Sequence, residues 1–236
     1  MEYYGQMGTK EDAIRFINSH KKELIQKYAG DDYPSCRNPI SIFMAGSPGA
    51  GKTEFSKSLL ELEMFEKDAA VRIDADEIKE FIPHYDTKNS DEIQGASVLG
   101  LIRLHDFCLK KKKNFILDGT FADYGNAEDN IKRSIRYGRD TSIFYVYQDP
   151  LVAWEFTKKR GELEGRFIPK AVFIDSFFAA KDNVNRIKEL LGKDVSLHLI
   201  TKNISNGLHG LELNIDKIDH YLKVTYTRDD LEKILQ

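Results

Sequence analysis

The chain has 236 residues, 41% of them apolar, and 35 basic against 38 acidic side chains give a net charge of −3. This is a folded globular composition, without the charge excess of a disordered chain or the basic footprint of a nucleic-acid backbone binder. Cys36 and Cys108 stand far apart with no metal-ligand spacing, which argues against a disulfide framework or zinc site and for a reducing cytoplasm, while no run approaches the roughly 18 apolar residues of a membrane span.

The opening MEYYGQMGTKED lacks the basic and apolar regions of a secretory leader. Residues 11–29 then place Ala13, Ile14, Phe16, Ile17, Leu24, Ile25 and Tyr28 at helical spacing. The spacing predicts one amphipathic helix with Thr9 as N-cap and Gly30 just past its end. The turn-rich stretch DDYPSCRNP closes this N-terminal helical extension, residues 1–37. From 38 to 200, apolar runs alternate with helical ones: ISIFMA, a helix over 51–63, AVRID, a helix over 92–112, NFILDG, a helix over 126–137, TSIFYVYQ, helices over 150–163 and 169–191, and VSLHLI. Alternation of this kind predicts an α/β chain, a mainly parallel sheet of about five strands flanked by helices. The segment 201–236 carries weaker signals and ends on a short helix with Thr227 as its N-cap. The whole reads as a single domain with an added N-terminal helix.

Between the first strand and its helix lies Gly46-Ser47-Pro48-Gly49-Ala50-Gly51-Lys52-Thr53, which fits G-x-x-x-x-G-K-[ST] in the strand-loop-helix context that the motif requires. Glycines let consecutive backbone N–H groups curl around an anion, and the helix start adds its partial positive charge. The fold expected is therefore that of the P-loop NTPases and kinases, binding ATP with Mg²⁺. Lys52 is expected on the β- and γ-phosphates, and the Thr53 hydroxyl on the metal. GTPases, motor ATPases and small-molecule kinases share this loop, so other residues decide the chemistry.

The second strand ends in Arg72-Ile73-Asp74-Ala75-Asp76. In an extended segment Asp74 and Asp76 share a side, so that Asp76 serves as general base toward a hydroxyl and Asp74 orients water on Mg²⁺. Asp76 equally suits the N-cap of a helix beginning at Glu77. The third strand ends in Asp118-Gly119-Thr120, where Asp118 reads as a Walker-B-type group, an acceptor contact or a plain turn residue. The stretch from Lys158 to Lys170 sets Arg160 and Arg166 on either side of a glycine-flanked turn, a lid whose guanidinium groups would clamp phosphate oxygens. Lys110 to Lys113 read as a solvated helix end. His84 and His105 read as isolated, and Trp154, Phe156, Phe173, Phe177 and Phe178 as core.

GSPGAGKT, IDADEIKEFIP, the LDGT turn, and R-G-E followed by R-x-x-P-K together resemble the zeta toxin family of kinases over about residues 38–190. The resemblance implies phosphorylation of the sugar 3′-hydroxyl of UDP-N-acetylglucosamine by ATP and Mg²⁺, which starves cell-wall synthesis, and restraint by a separate helical antitoxin protein. It implies that Lys52 and Thr53 hold nucleotide and metal, that Asp76 is the base, that Thr120 contacts the acceptor, and that Arg160 and Arg166 clamp phosphates. Two departures bear on the acceptor. Ala122 stands where the pattern has arginine, and a glutamate used toward the sugar is replaced near Ile102 or Arg103. They leave open a different small acceptor, such as an antibiotic, a nucleoside or another sugar. A nucleotide-dependent binding switch with little transfer also stays open. The N-terminal helix either packs on the flank of the sheet or restrains the nucleotide site in cis.

Overall fold

Runs such as ISIFMA form strands because β-branched and aromatic side chains fit a pleated surface covered on both faces. The computed structural model describes residues 10–62, 69–86, 89–165, 167–203 and 207–236; Thr9 lies outside them. Strand β1 spans Ile40–Ala45, β2 Ala70–Asp74, β3 Asn114–Asp118, β4 Asp140–Tyr147, β5 Ser196–Lys202 and β6 Leu208–Glu212. They form one sheet in the order β2-β3-β1-β4-β5-β6. The first five are mutually parallel, and β6 runs antiparallel to β5 with an irregularity at Thr201/Lys202. The strand beyond the expected five is β6, whose residues are exposed or half-buried throughout and so carry no alternation to read.

The helices are α1 (Lys10–Ser19), α2 (Lys21–Ala29), α3 (Lys52–Leu60), α4 (Ala75–Lys79), α5 (Ser90–Lys110), α6 (Tyr124–Arg136), α7 (Pro150–Glu164), α8 (Lys170–Leu191) and α9 (Arg228–Ile234). The single helix expected over 11–29 is two. Ser19 Oγ bonds back to the carbonyls of Arg15 and Phe16, and His20 Nδ1 lies 3.0 Å from the Phe16 carbonyl. Side chains that satisfy backbone groups locally compete with helix continuation. Both helices pack against α5, with Ile17 and Leu24 fully buried. Each such side chain contributes about 2 kcal/mol, so the extension is part of the core. At its far end the Tyr28 hydroxyl donates to the Glu77 carbonyl of α4 at 2.8 Å.

The lysine run after α5 is not a wholly solvated end. Lys113 is buried, and its ammonium donates to the carbonyls of Gly30 and Tyr33, tying the N-terminal extension to the start of β3. Trp154, Phe173 and Phe177 do form core, closed by Leu231 and Leu235 at the C-terminus with Phe178 packed beside them; Phe156 is half-buried outside that cluster. Thr227 caps α9 in a reciprocal capping box with Asp230.

His105 is buried edge-on to Phe43 and Phe115, and its Nε2 has no hydrogen-bond partner. Burial, helped by the positive charge of Arg133, lowers its pKa from 6.5 to about 3. Between those values the unfolded chain binds the extra proton, so His105 removes stability as pH falls, by on the order of 3 kcal/mol at pH 4. Urea unfolding at pH 7 and pH 4 measures this. His105→Leu is expected to lose markedly less stability than wild type over that interval, and an equal loss would place the acid sensitivity elsewhere.

Candidate active site

The loop between β1 and α3 has the backbone that its glycines permit. Gly46, Gly49 and Gly51 have φ of 140°, 71° and 85°. A Cβ at Gly46 would collide with the Val146 carbonyl, and one at Gly49 with the Ala153 carbonyl. Ser47 and Ala50 are buried, Pro48 sits between them, and the Ala50 N–H donates to the Ser47 carbonyl at 3.3 Å. Gly51 caps α3 in a left-handed conformation, putting Lys52 and Thr53 in its first turn. The Lys52 ammonium folds back onto the Ser47 carbonyl at 2.6 Å. Burial lowers its pKa to about 8; the Asp118 and Asp74 carboxylates oppose that shift and the Arg160 guanidinium adds to it. A desolvated cation in the mouth of a ring of backbone amides is a place built for an anion.

Asp74 and Asp118 are register partners at the ends of β2 and β3, and both face a residue that the sequence reading passed over. Arg72 is buried in β2. Its Nε donates to Ser56 Oγ at 2.9 Å, its Nη1 to Glu77, and its Nη2 to Asp74 Oδ2 at 2.6 Å and Asp118 Oδ2 at 2.5 Å. Ser56 Oγ in turn lies 3.0 Å from the Thr53 carbonyl and 3.1 Å from Asp118 Oδ2, the two acceptors within reach of its one proton. One guanidinium thus ties the first turns of α3, the end of β3 and the start of α4. Burial works against the Arg72 charge, yet Asp118 and Asp74 hold its pKa above the ordinary value, while burial pushes Asp74 up. A charged residue inside a strand gave no signal of this, because Ser56 and Asp118 come from distant segments and Asp74 and Glu77 meet it only once the chain turns into α4.

The expectation that Asp74 and Asp76 project alike from an extended segment is not met. The chain turns at Asp74, whose Oδ1 accepts the Asp76 N–H at 2.8 Å, so Asp74 is the N-cap and Asp76 lies in the first turn of α4. The Asp76 carboxylate instead meets two cations. Lys79 Nζ lies 3.4 Å from Oδ1, and Arg160 Nη2, from α7, lies 3.5 Å from Oδ2. Thr120 joins the loop from the other side, its carbonyl accepting the Gly46 N–H at 3.2 Å. Lys52, Asp76, Asp118, Thr120 and Arg160 therefore gather at the carboxyl edge of the sheet, where α/β folds place ligands.

The segment expected to be a lid follows the last turns of α7, closed by Gly165 with φ 68°, and precedes Pro169, the cap of α8. Arg166 lies outside the described residues. Lys170 turns away onto the carbonyl of Glu232. Past Thr120, the Asn183 amide donates to the carbonyls of Phe121 and Ala122 at 3.0 and 2.9 Å. Ile102 is exposed and Arg103 donates to Asn18 of α1. The part of α5 beside the site is instead its first turn, where Ser90 accepts from Lys79. Cys36 and Cys108 are both buried and are not joined in a disulfide. Among the described residues no helix is long and apolar enough to cross a membrane.

A sequence model described as zeta toxin matches residues 25–209. No curated protein sequence matches the chain. Among solved structures the fold is similar to one from the PezAT chromosomal toxin-antitoxin system of Streptococcus pneumoniae, at 16% identity and a TM-score of 0.63, covering 97% of this chain and 88% of that one. It is also similar to a chain of AvrRxo1-ORF1:AvrRxo1-ORF2 with sulphate ions, at 13% identity and a TM-score of 0.60, covering 92% and 75%. The same pair with ATP gives 14% identity and a TM-score of 0.56, covering 92% and 74%.

Proposed function

The chain belongs to the zeta toxin family, and from that premise we propose that it is an ATP-dependent kinase acting on a hydroxyl of UDP-N-acetylglucosamine or a related nucleotide sugar. The observation that carries this reading is the meeting of Asp76 and Arg160 beside Lys52. A carboxylate that takes a proton and cations that receive phosphate oxygens are the parts in-line transfer needs. The acceptor oxygen bonds to the γ-phosphorus as the bond to the ADP oxygen breaks, and the acceptor proton passes to Asp76. Lys52 and the backbone N–H groups of Gly49, Gly51, Lys52 and Thr53 hold the phosphates, Arg160 stabilises charge on the transferred group, and Arg166 is assigned the same task from the resemblance. Asp118 and Thr120 line the acceptor side, with Asp118 held fast by Arg72.

The loop suits an ATP triphosphate because its positive-φ glycines set the curled backbone of a phosphate-binding motif and the half-buried Lys52 ammonium lies on the Ser47 carbonyl within it. Mg²⁺ in such sites keeps mostly phosphate and water ligands, so the Thr53 hydroxyl is the protein group that would hold it. When bound it would draw charge from the phosphate oxygens. A neighbour from a toxin-antitoxin system supports an antitoxin as protein partner.

The test is incubation with ATP, Mg²⁺ and UDP-N-acetylglucosamine, followed by mass spectrometry. The expected product is the nucleotide sugar carrying one further phosphate. Ala122 lacks the arginine of the family pattern and its carbonyl is engaged by Asn183, which favours as second reading a different small acceptor. ATP binding without a phosphorylated sugar would select that reading, and the acceptor would then be sought in metabolite extracts.

A further inference from the structure

Lys79 is among the largest fully buried side chains of the protein, 1% exposed, although it lies on a five-residue helix at the rim of the site. A buried ammonium is costly unless paired and hydrogen-bonded. Its partners include Ser90 Oγ at 2.7 Å, in the first turn of α5, and Asp76 Oδ1 at 3.4 Å. The other oxygen of that carboxylate lies 3.5 Å from Arg160, whose side chain is 43% exposed. Asp76 is thus shared between two unlike cations. One is desolvated and fixed to two helices; the other is half in water and comes from α7.

We propose that Lys79 is a positioning residue that acts through Asp76. By holding Oδ1 it aims Oδ2 toward Arg160 and the acceptor, and by sharing the carboxylate's charge it weakens the grip of Asp76 on Arg160, so that the guanidinium leaves for the phosphates when nucleotide binds. Arg160 is parked on the base in the ligand-free chain and exchanges onto ATP. The proposal rests on the reading of Asp76 and Arg160 given above, and it adds that nucleotide affinity is set by a competition in which Lys79 takes part.

Coupling in nucleotide binding tests this without an acceptor. Calorimetric titration of the full chain with ATP and Mg²⁺ is expected to show Lys79→Met weakening affinity about fivefold, the scale of one partly exposed ion pair. Lys79→Arg is expected to restore it. In an Arg160→Ala background the Lys79→Met change is expected to have no effect, because there is no guanidinium left to hold. A merely structural lysine, pinning α4 to α5, would weaken binding equally in both backgrounds, and that result overturns the proposal, as does an affinity unmoved by Lys79→Met. Absence of ATP binding by the wild type would overturn the kinase reading as well. Binding by the wild type with no coupling overturns the role of Lys79 alone.

Discussion

Asp76→Asn is expected to lower phosphoryl transfer by about 10²–10⁴-fold, the range for loss of a general base, without lowering ATP affinity. The amide keeps the shape of the side chain at the start of α4 but cannot take the acceptor proton. Because the substitution also removes the anion that holds Arg160, nucleotide is expected to bind as well as in wild type or slightly better. This split is the point of the experiment: a loss confined to turnover marks an interaction made in the chemical step. Initial rates over a range of ATP, with calorimetry on the same samples, measure both. Unchanged turnover would remove Asp76 from the chemistry and leave it an ion-pair residue only.

The second large effect falls on stability. Arg72→Met is expected to cost about 3–5 kcal/mol, because it leaves the carboxylates of Asp74 and Asp118 buried without their cation. Removing one member of a buried pair costs far more than the pair was worth, since the partner's charge stays desolvated. The sign of the pH dependence follows. Burial already pushes the Asp74 pKa up against the opposing charge of Arg72, so without that cation protonation of Asp74 relieves the variant, and its deficit relative to wild type is expected to shrink as pH falls from 7 toward 4. Urea unfolding at both pH values checks this; a variant as stable as wild type at pH 7 would mean that methionine packing fully replaces the network.

The same network shows where a sequence is readable and where it is not. The phosphate loop was legible because its glycines and its lysine are dictated locally, by the curl of eight consecutive residues. The five parallel strands were legible because burial on both faces demands unbroken apolar runs. Arg72 was not, because a strand arginine is buried only when carboxylates arrive from β3 and α4, and no local pattern encodes that arrival. Asp76 was read as a functional carboxylate from its place at a strand end, yet on the wrong geometry: alternation was assumed where the cap at Asp74 starts a helix. Lys113 was misread, and Lys79 drew no reading, for a related reason. Long cationic stems look solvated in sequence, and only the folded chain supplies the carbonyls and hydroxyls that take them inside. The strand β6 and the break at His20 were missed because both are decided by weak, exposed contacts.

The placement of β1 at the centre of the sheet carries a consequence for biosynthesis. The first residue of the phosphate loop is braced by the Thr120 carbonyl, and a Cβ there is forbidden by the Val146 carbonyl; β1 itself pairs with residues 115–117 on one side and 140–145 on the other. A nascent chain leaving the ribosome therefore displays residues 46–53 long before it owns the walls that shape them. Until β4 has emerged, the glycine-rich segment is a string of amides without a cradle, so the loop takes its folded shape only late in translation.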